Sequence, residues 1–192
     1  LRNRLVTYQR DFYQESLNLA QKSKQSAWIL NLDRDRTKAQ LLAQLLQRHR
    51  VKFYDLSNDV TIDGTTVMAG NGYVIPVDQP QYRLIKSFTE RTLEFQDSLF
   101  YDVSTWTLPL AFDVDLFEYS GKLPGIQGNS VDQVDLDGGV LEGGRARHAY
   151  LLRWDRIFAP RALNRFLEAG LDARITHEPF SVMQDGKKIW FD

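Results

Sequence analysis

The sequence contains no cysteine and no long apolar run, and each absence excludes a class of protein. Without cysteine the chain has no disulfide, no thiolate for a metal and no cysteine nucleophile. Since no run of about 18 apolar residues occurs, the sequence predicts no membrane-spanning helix. The 24 Lys and Arg residues nearly balance the 25 Asp and Glu residues, so the charge gives no reason to expect nucleic acid or an anionic membrane as a partner.

What is present is enough apolar material for a core. With 192 residues and 43% hydrophobic content, the chain is predicted to form one substantial domain or two small ones. Its first 25 residues lack the apolar centre of a signal peptide. Because the sequence also begins without methionine, we interpret it as a fragment or a processed product.

The segment 1–26 predicts an amphipathic linker helix. Apolar residues recur at roughly helical spacing, and polar residues fill the other face; the apolar residues are Leu5, Tyr8, Phe12, Leu17 and Ala20. Two interpretations remain open for this helix. It is either a lid on the domain's own core or the exit helix of a preceding domain.

The segment 27–118 predicts a first α/β unit. AWILNL and VKFYDL have the length of strands, TKAQLLAQLLQRH has an apolar helical face, and VTIDGTTVMAG predicts a hairpin that turns at Asp63-Gly64. YVIPV predicts a further strand, and QPQYRLIKSFTERT a further helix. Strand–helix–strand crossovers favour parallel strands with helices on the faces. The predicted fold class is therefore α/β, a mainly parallel sheet with helices on both faces and an additional N-terminal helix.

The segment 119–147 holds seven of the twelve glycines and predicts a connector. After it, the segment 148–192 predicts a second, truncated α/β unit. Its residues 149–190 align without a gap on residues 27–68 at a constant offset of 122, with nine identities in 42 positions. The alternative is that any two such units look alike at this level. If the repeat is real, the counterpart of YVIPV follows Asp192 in the natural chain.

The turn Asp33-Arg34-Asp35-Arg36 carries four charges where a phosphate-binding loop would carry glycines. Neither GxGxxG nor GxxxxGK[ST] occurs in the chain. Asp33-Arg34 recurs as Asp155-Arg156 in the second unit. We therefore expect a local role, in which Asp33 or Asp35 caps the following helix and Arg34 faces water or pairs with a neighbouring carboxylate.

The sequence offers no standard metal site but does offer ligand-binding candidates. The three histidines lie far apart and neither HxxE nor HExxH occurs. The acidic stretch 132–142 has the oxygen ligands that calcium prefers, but its glycines do not follow the EF-hand pattern. Asp33, Asp78 and Gln79 are predicted at the carboxyl ends of strands, where such folds bind ligands. The aromatic residues Tyr101 and Trp106 predict either a ligand pocket or an ordinary core.

Two quoted stretches resemble a known family. YVIPVDQPQYRLIKSFTE and DSLFYDVSTWTLPLAF look like the region that follows the catalytic domain in large bacterial zinc carboxypeptidase-like proteins of the carboxypeptidase A type. In those proteins this region resembles a class I glutamine amidotransferase-like domain, with a flavodoxin-like arrangement. The family's zinc ligands and catalytic glutamate match no position here. The amidotransferase nucleophile is a cysteine, which this chain lacks.

The resemblance implies a non-catalytic accessory region of an exported protein, in the periplasm or outside the cell. It implies no cofactor in this chain and zinc in the parent peptidase domain. The implied partners are that preceding domain, joined through the first helix, and peptide substrates. The alternative function is a free-standing α/β module that binds a small ligand at the carboxyl ends of its strands, near Asp33, Asp78 and Gln79.

Overall fold

The computed structural model describes residues 2–90, 108–141, 144–146, 148–184 and 186–191. They form two compact units, one that ends at Leu136 and one that begins at Asp137. The elements of the first unit are α1 (Arg2–Lys22), β1 (Ala27–Asn31), α2 (Arg36–Arg48), β2 (Tyr54–Leu56), β3 (Val60–Ile62), β4 (Thr65–Val67), β5 (Gly72–Pro76), α3 (Tyr82–Thr89), α4 (Leu108–Ala111), β6 (Leu116–Tyr119) and β7 (Gln127–Ser130). Those of the second unit are α5 (Ala159–Glu168), β8 (Phe180–Gln184) and β9 (Lys187–Phe191).

The first unit is built on a five-stranded sheet in the order β6-β1-β5-β2-β7. Every pair of neighbouring strands in it is antiparallel. In the central pair, Ala27 of β1 lies opposite Pro76 of β5, and Asn31 lies opposite Gly72. The prediction of a mainly parallel, flavodoxin-like or glutamine amidotransferase-like sheet is therefore wrong.

The error lies in which strands are neighbours. The crossover through α2 does give β1 and β2 the same direction, since both run antiparallel to β5. The two strands nevertheless do not touch, because β5 occupies the position between them. The helical crossover places β2 two positions from β1 in the sheet. β5 occupies the position between them and runs in the opposite direction, so both of its pairings are antiparallel.

The two faces of the sheet are covered differently. Side chains that alternate along a strand point to opposite faces, and they join two separate apolar clusters. The cluster on the helical face includes Leu30, Ile75, Leu42 of α2 and Ile85 of α3. The cluster on the other face includes Ile29, Val74, Val60 of β3 and Val67 of β4. The prediction of helices on both faces is wrong, because the β3–β4 hairpin covers the second face.

The hairpin itself forms as the sequence predicted. Val60 lies opposite Val67, and Ile62 lies opposite Thr65. Asp63 and Gly64 have φ values of 50° and 79°. Positive φ at both central residues is the type I′ geometry that matches the twist of a two-residue hairpin, and Asp-Gly is one of its preferred sequences.

The first helix is attached to the unit only near its end. Its buried residues are Ser16 and Ala20. Ser16 Oγ donates to the carbonyl oxygen of Pro80 at 2.9 Å, and Glu15 Oε2 lies 2.7 Å from Arg83 Nη2. Residues 2–15 are all exposed, so α1 does not cover the core over that length. Among the helices in the described ranges, none combines the length and apolar character needed to cross a bilayer.

The glycine-rich span 119–147, predicted as a connector, contributes to the first unit. Its strand β7 pairs with β2, with Ser130 opposite Tyr54. Val134 is buried against the helical face of the sheet. The compact part of the first unit therefore extends to Leu136.

The second unit reproduces part of the predicted repeat. Helix α5 lies at the offset of 122 from α2. The hairpin β8–β9 has the same register as β3–β4, since Val182 lies opposite Ile189 where Val60 lies opposite Val67. Residues 149–153, the counterparts of β1, do not form a strand. The helix and the hairpin of the repeat are confirmed, and its first strand is not formed.

Candidate functional site

A group of polar contacts from four segments of the chain lies where β1 ends. At this end of the sheet lie the charged turn after β1, the first turn of α2, the loop before β5 and the turn after α4. We call the group the charged cluster, and its members are Asp33, Arg34, Asp35, Arg36, Lys38, Asn71 and Asp113.

Asn71 connects the loop before β5 to the charged turn. Its Nδ2 donates to Asp33 Oδ1 at 2.8 Å, and its Oδ1 accepts from Arg36 Nη1 at 3.1 Å. The backbone N–H of Asp33 donates to Asn31 Oδ1 at 3.1 Å. The Asn71 side chain thus hydrogen-bonds both an acidic and a basic residue of the same turn. Asn71 is not among the site residues predicted from the sequence, and its place directly before a predicted strand was the available signal.

Asp113 connects the turn after α4 to the same cluster. Its Oδ1 lies 2.8 Å from Arg34 Nη1, and its Oδ2 accepts from Lys38 Nζ at 3.1 Å. The predicted pairing of Arg34 with a carboxylate is confirmed. Asp113 occupies a turn and has a positive φ of 53°. Both of its carboxylate oxygens are engaged by cations from the start of α2.

Asp35 caps α2, as the sequence predicted for Asp33 or Asp35. It has extended backbone dihedrals, with φ −141° and ψ 98°, and its Oδ1 accepts from the backbone N–H of Lys38 at 3.1 Å. The residue is buried. The cap satisfies one of the backbone N–H groups that the first turn of a helix leaves without an intrahelical partner.

We expect Asp35→Ala to lower the free energy of unfolding of the first unit by about 1 kcal/mol, the usual contribution of an N-cap. Asp35→Asn is the control, because its side-chain oxygen accepts the same hydrogen bond. Urea unfolding followed by circular dichroism measures both variants. Equal losses in the two variants would show that charge, and not the cap, is the source of the effect.

The charged cluster works chemically as a set of cross-links. Asp33 and Asp113 each bind donors from another segment of the chain. These contacts hold the starts of α2, β5 and β6 together at one end of the sheet. Exposed ion pairs contribute only about 0–1 kcal/mol each, so the network positions loops more than it stabilises the fold.

The predicted site residues Asp33 and Asp78 lie at opposite ends of the sheet. Asp33 follows the end of β1 and Asp78 follows the end of β5, and these strands are antiparallel. Five residue pairs join the two strands, and the four steps between the first and the last pair span about 13 Å at roughly 3.3 Å per residue. The prediction of a shared site assumed parallel strands, whose carboxyl ends meet at one edge.

Gln79 is buried and its amide binds the backbone of the chain. Its Nε2 donates to the carbonyl oxygens of Pro76 at 2.6 Å and Lys52 at 3.0 Å. Its Oε1 accepts from the backbone N–H of Lys52 at 2.8 Å. Both N–H groups and the oxygen are thus used to fasten the end of β5 to the segment before β2. This geometry favours a structural role for Gln79.

Asp78 is exposed and lies on an open groove of about 680 Å³. The groove runs between the end of α1 and the loop after β6, and its polar lining includes Gln21, Gln25, Ser120 and Lys122. Asp78 is thus a predicted ligand residue that lines a groove in the described part of the chain. Tyr101 and Trp106 lie outside the described residues.

The described ranges contain no group of three or more His, Asp or Glu residues placed to hold a metal ion. In the acidic stretch 132–142, Asp132 Oδ1 accepts from Ser130 Oγ at 2.9 Å. Asp135 Oδ1 accepts from Gln133 Nε2 at 2.6 Å. These two carboxylates bind their sequence neighbours.

In the second unit, Asp155 is the counterpart of Asp33 and is held by arginines. Arg153 donates to its two oxygens through Nε and Nη2, each at 3.2 Å, and Arg156 Nε lies 3.8 Å away. Burial raises the pKa of Asp155, but the hydrogen bond and charge of Arg153 and the charge of Arg156 outweigh it. The pKa therefore lies below its ordinary value of 3.8.

A carboxyl whose pKa is lower in the folded state stabilises that state at neutral pH, and this contribution is lost as the pH falls through the folded-state pKa. The contribution of Asp155 therefore disappears below pH 3.8. We expect Arg153→Gln to raise the Asp155 pKa toward its ordinary value, measured by NMR titration of the carboxyl carbon. Arg174→Gln, which removes the partner of Asp172 in the same unit, is the control. An unchanged Asp155 pKa in Arg153→Gln would contradict the assignment.

The resemblance to zinc carboxypeptidase-like proteins depends on two stretches, and residues 97–107 of the more specific one lie outside the described residues. The contacts of the charged cluster and of α1 provide separate evidence about function. Comparisons with protein-family models, curated proteins and solved structures find no match for this chain.

Proposed function

We propose that this chain is a non-catalytic accessory α/β region of a zinc carboxypeptidase-like protein and helps to position or cover the peptidase domain. The zinc and the peptide hydrolysis belong to that other domain. The observation that carries the proposal is the first helix, which is long, apolar on one side and attached to its own unit only at one end.

The exposed part of α1 has the pattern of a binding surface. Leu5 and Tyr8 are 56% and 69% exposed, and with Phe12 they form one stripe at helical spacing. Isolated helices are marginal in water and depend on packing of an apolar face. The last turns of α1 pack on α3, where Arg83 also lies 4.6 Å from the centre of the Phe12 ring. The exposed remainder of the stripe is suited to binding a second domain, as expected for a helix that two domains share.

The charged cluster supports the non-catalytic part of the proposal. A general base or nucleophile must be able to reach a substrate atom. Asp33, Asp35 and Asp113 instead accept hydrogen bonds or ion pairs from their own chain. These carboxylates hold the loops together at this end of the sheet.

The catalytic claim is tested with the purified chain, zinc and a panel of peptides with free carboxyl termini. We expect no turnover above that of zinc alone. The natural protein's peptidase domain, assayed beside it, is the positive control. Robust hydrolysis by the chain itself would overturn the proposal.

The role of α1 is tested with the peptidase domain supplied as a separate polypeptide. Leu5→Ser with Tyr8→Ser is expected to weaken binding at least about thirtyfold, since the loss of even one anchor at an interface centre costs roughly 2 kcal/mol or more. Arg10→Ser with Gln14→Ser changes the opposite side of the helix and is the matched control. Calorimetric binding of equal strength in both double variants would exclude the stripe as the contact.

The second candidate function is a small-ligand-binding module, and the groove beside Asp78 favours it. Thermal-shift screening with sugars, peptides and nucleotides is the direct measurement. A specific ligand is expected to raise the melting temperature of the wild type but not of Asp78→Ala. Asp55→Ala, at an exposed carboxylate on β2, is the control. A ligand shift that survives Asp78→Ala would exclude this groove.

A further inference from the structure

The second unit exposes a stretch whose counterpart is the buried centre of the first unit. Leu151 and Leu152 are 47% and 45% exposed, whereas Ile29 and Leu30, their counterparts in β1, are both 0% exposed. Tyr150 and Trp154 beside them are also exposed. An exposed apolar stretch that pairs with no strand among the described residues is a candidate for strand addition.

The layers that would cover such a strand are already formed. In the first unit, β1 packs against α2 on one face and against the β3–β4 hairpin on the other. Their counterparts α5 and β8–β9 are present at the same offset, and the hairpin has the same register. The second unit therefore has the outer elements of the fold.

The topology of the first unit explains why residues 149–153 are not a strand. β1 and β2 do not touch each other, because each is held by β5 between them. The offset of 122 places the counterpart of β5 at positions 194–198. In the described part of the second unit, no strand pairs with the counterparts of β1 and β2, residues 149–153 and 176–178.

We propose that residues 149–153 are an acceptor site for one antiparallel β-strand with the chemistry of β5. Such a strand begins with glycine and is apolar on both faces, as Gly72–Pro76 is. Val74 and Ile75 are both buried, one on each face. Backbone hydrogen bonds supply the affinity in strand addition, and alternate side chains supply the specificity.

The requirement for glycine follows from the first unit. A Cβ atom on Gly72 would lie 2.9 Å from Val67 Cγ1 and 3.3 Å from the carbonyl oxygen of Leu30. The counterparts of these two residues are Ile189 and Leu152. Since isoleucine is larger than valine, a side chain at the first position of the added strand would clash at least as severely.

The test extends the full chain by a copy of residues 71–79 placed directly after Asp192. This puts the copied strand at the positions that the repeat assigns to it. We expect amide hydrogen exchange at residues 150–153 to slow at least about tenfold, as for backbone that becomes part of a cooperative sheet. The amides of β1 in the same molecule are the internal reference.

The matched control carries the same extension with proline in place of the copies of Val74 and Ile75. Proline cannot donate a ladder hydrogen bond, so residues 150–153 are expected to exchange as in the unextended chain. Equal exchange in the two extended chains would overturn the proposal. Leu152→Lys in the first extended chain is expected to abolish the protection, because it places a charge in the new core.

The occupant is tested with the unextended chain. Sedimentation is expected to show a monomer, and the free peptide Asn-Gly-Tyr-Val-Ile-Pro-Val is expected to slow exchange at residues 150–153 when added in excess. A dimer with these amides protected, in the absence of peptide, would assign the site to a second copy of the chain and overturn the proposed occupant.

Discussion

Phe53→Ala is expected to lower the free energy of unfolding of the first unit by about 3–5 kcal/mol, the usual effect of removing a buried phenylalanine side chain. Phe53 precedes β2 and is almost completely buried. Its ring centroid lies 5.2 Å from that of Tyr73, and it joins the cluster that attaches α2 to the sheet. Because domains are stable by only about 5–15 kcal/mol, this single change removes a large share of the total.

Guanidinium unfolding followed by circular dichroism measures this effect. Phe53→Leu is the control, because it keeps the site apolar and leaves a smaller cavity. We expect it to be clearly less destabilising than the alanine variant. If both variants unfolded at the wild-type denaturant concentration, Phe53 would not be part of the core that these contacts define.

Gln79→Met is expected to lower the free energy of unfolding by about 3 kcal/mol. The substitution keeps the shape of the side chain but removes hydrogen bonds to Pro76 and to both backbone groups of Lys52. Each buried group left unsatisfied costs about 1–3 kcal/mol, and the three losses are not expected to add fully. Urea unfolding and amide exchange at Lys52 are the measurements.

Gln79→Glu separates the hydrogen bonds from the packing. Its carboxylate still accepts from the Lys52 N–H but has no N–H to donate to the two carbonyls. Relative to wild type, we expect this variant to regain stability at acidic pH, where the protonated carboxyl donates one hydrogen bond. Unchanged stability of Gln79→Met would instead leave the Gln79 amide available for a ligand.

Local elements of the fold could be predicted because their causes are local. The apolar spacing in α2, the cap at Asp35 and the Asp63-Gly64 turn each depend on a few adjacent residues. The sheet could not be predicted in the same way. The strand–helix–strand pattern fixes the relative direction of β1 and β2 but does not say whether another strand lies between them. That depends on packing over distances of tens of residues.

The candidate site shows the same division. Arg34 was expected to pair with a carboxylate, but nothing near it in the sequence identifies Asp113 as that partner. Nothing near Asn71 in the sequence identifies Asp33 as its partner, because this hydrogen bond depends on how β5 enters the sheet. The prediction that Asp33 and Asp78 share one site was wrong, because it assumed that β1 and β5 are parallel.

The position of β5 between two earlier strands also determines when the first unit can fold during synthesis. β1 emerges from the ribosome before both of its neighbours, since Ala27 pairs with Pro76 and with Tyr119. Pairing between distant segments makes folding slow, and unpaired strands are prone to aggregate until their neighbours arrive. We therefore expect nascent chains that end before Ser130 to depend on chaperones, because the sheet is complete only when the edge strand β7 has been synthesised.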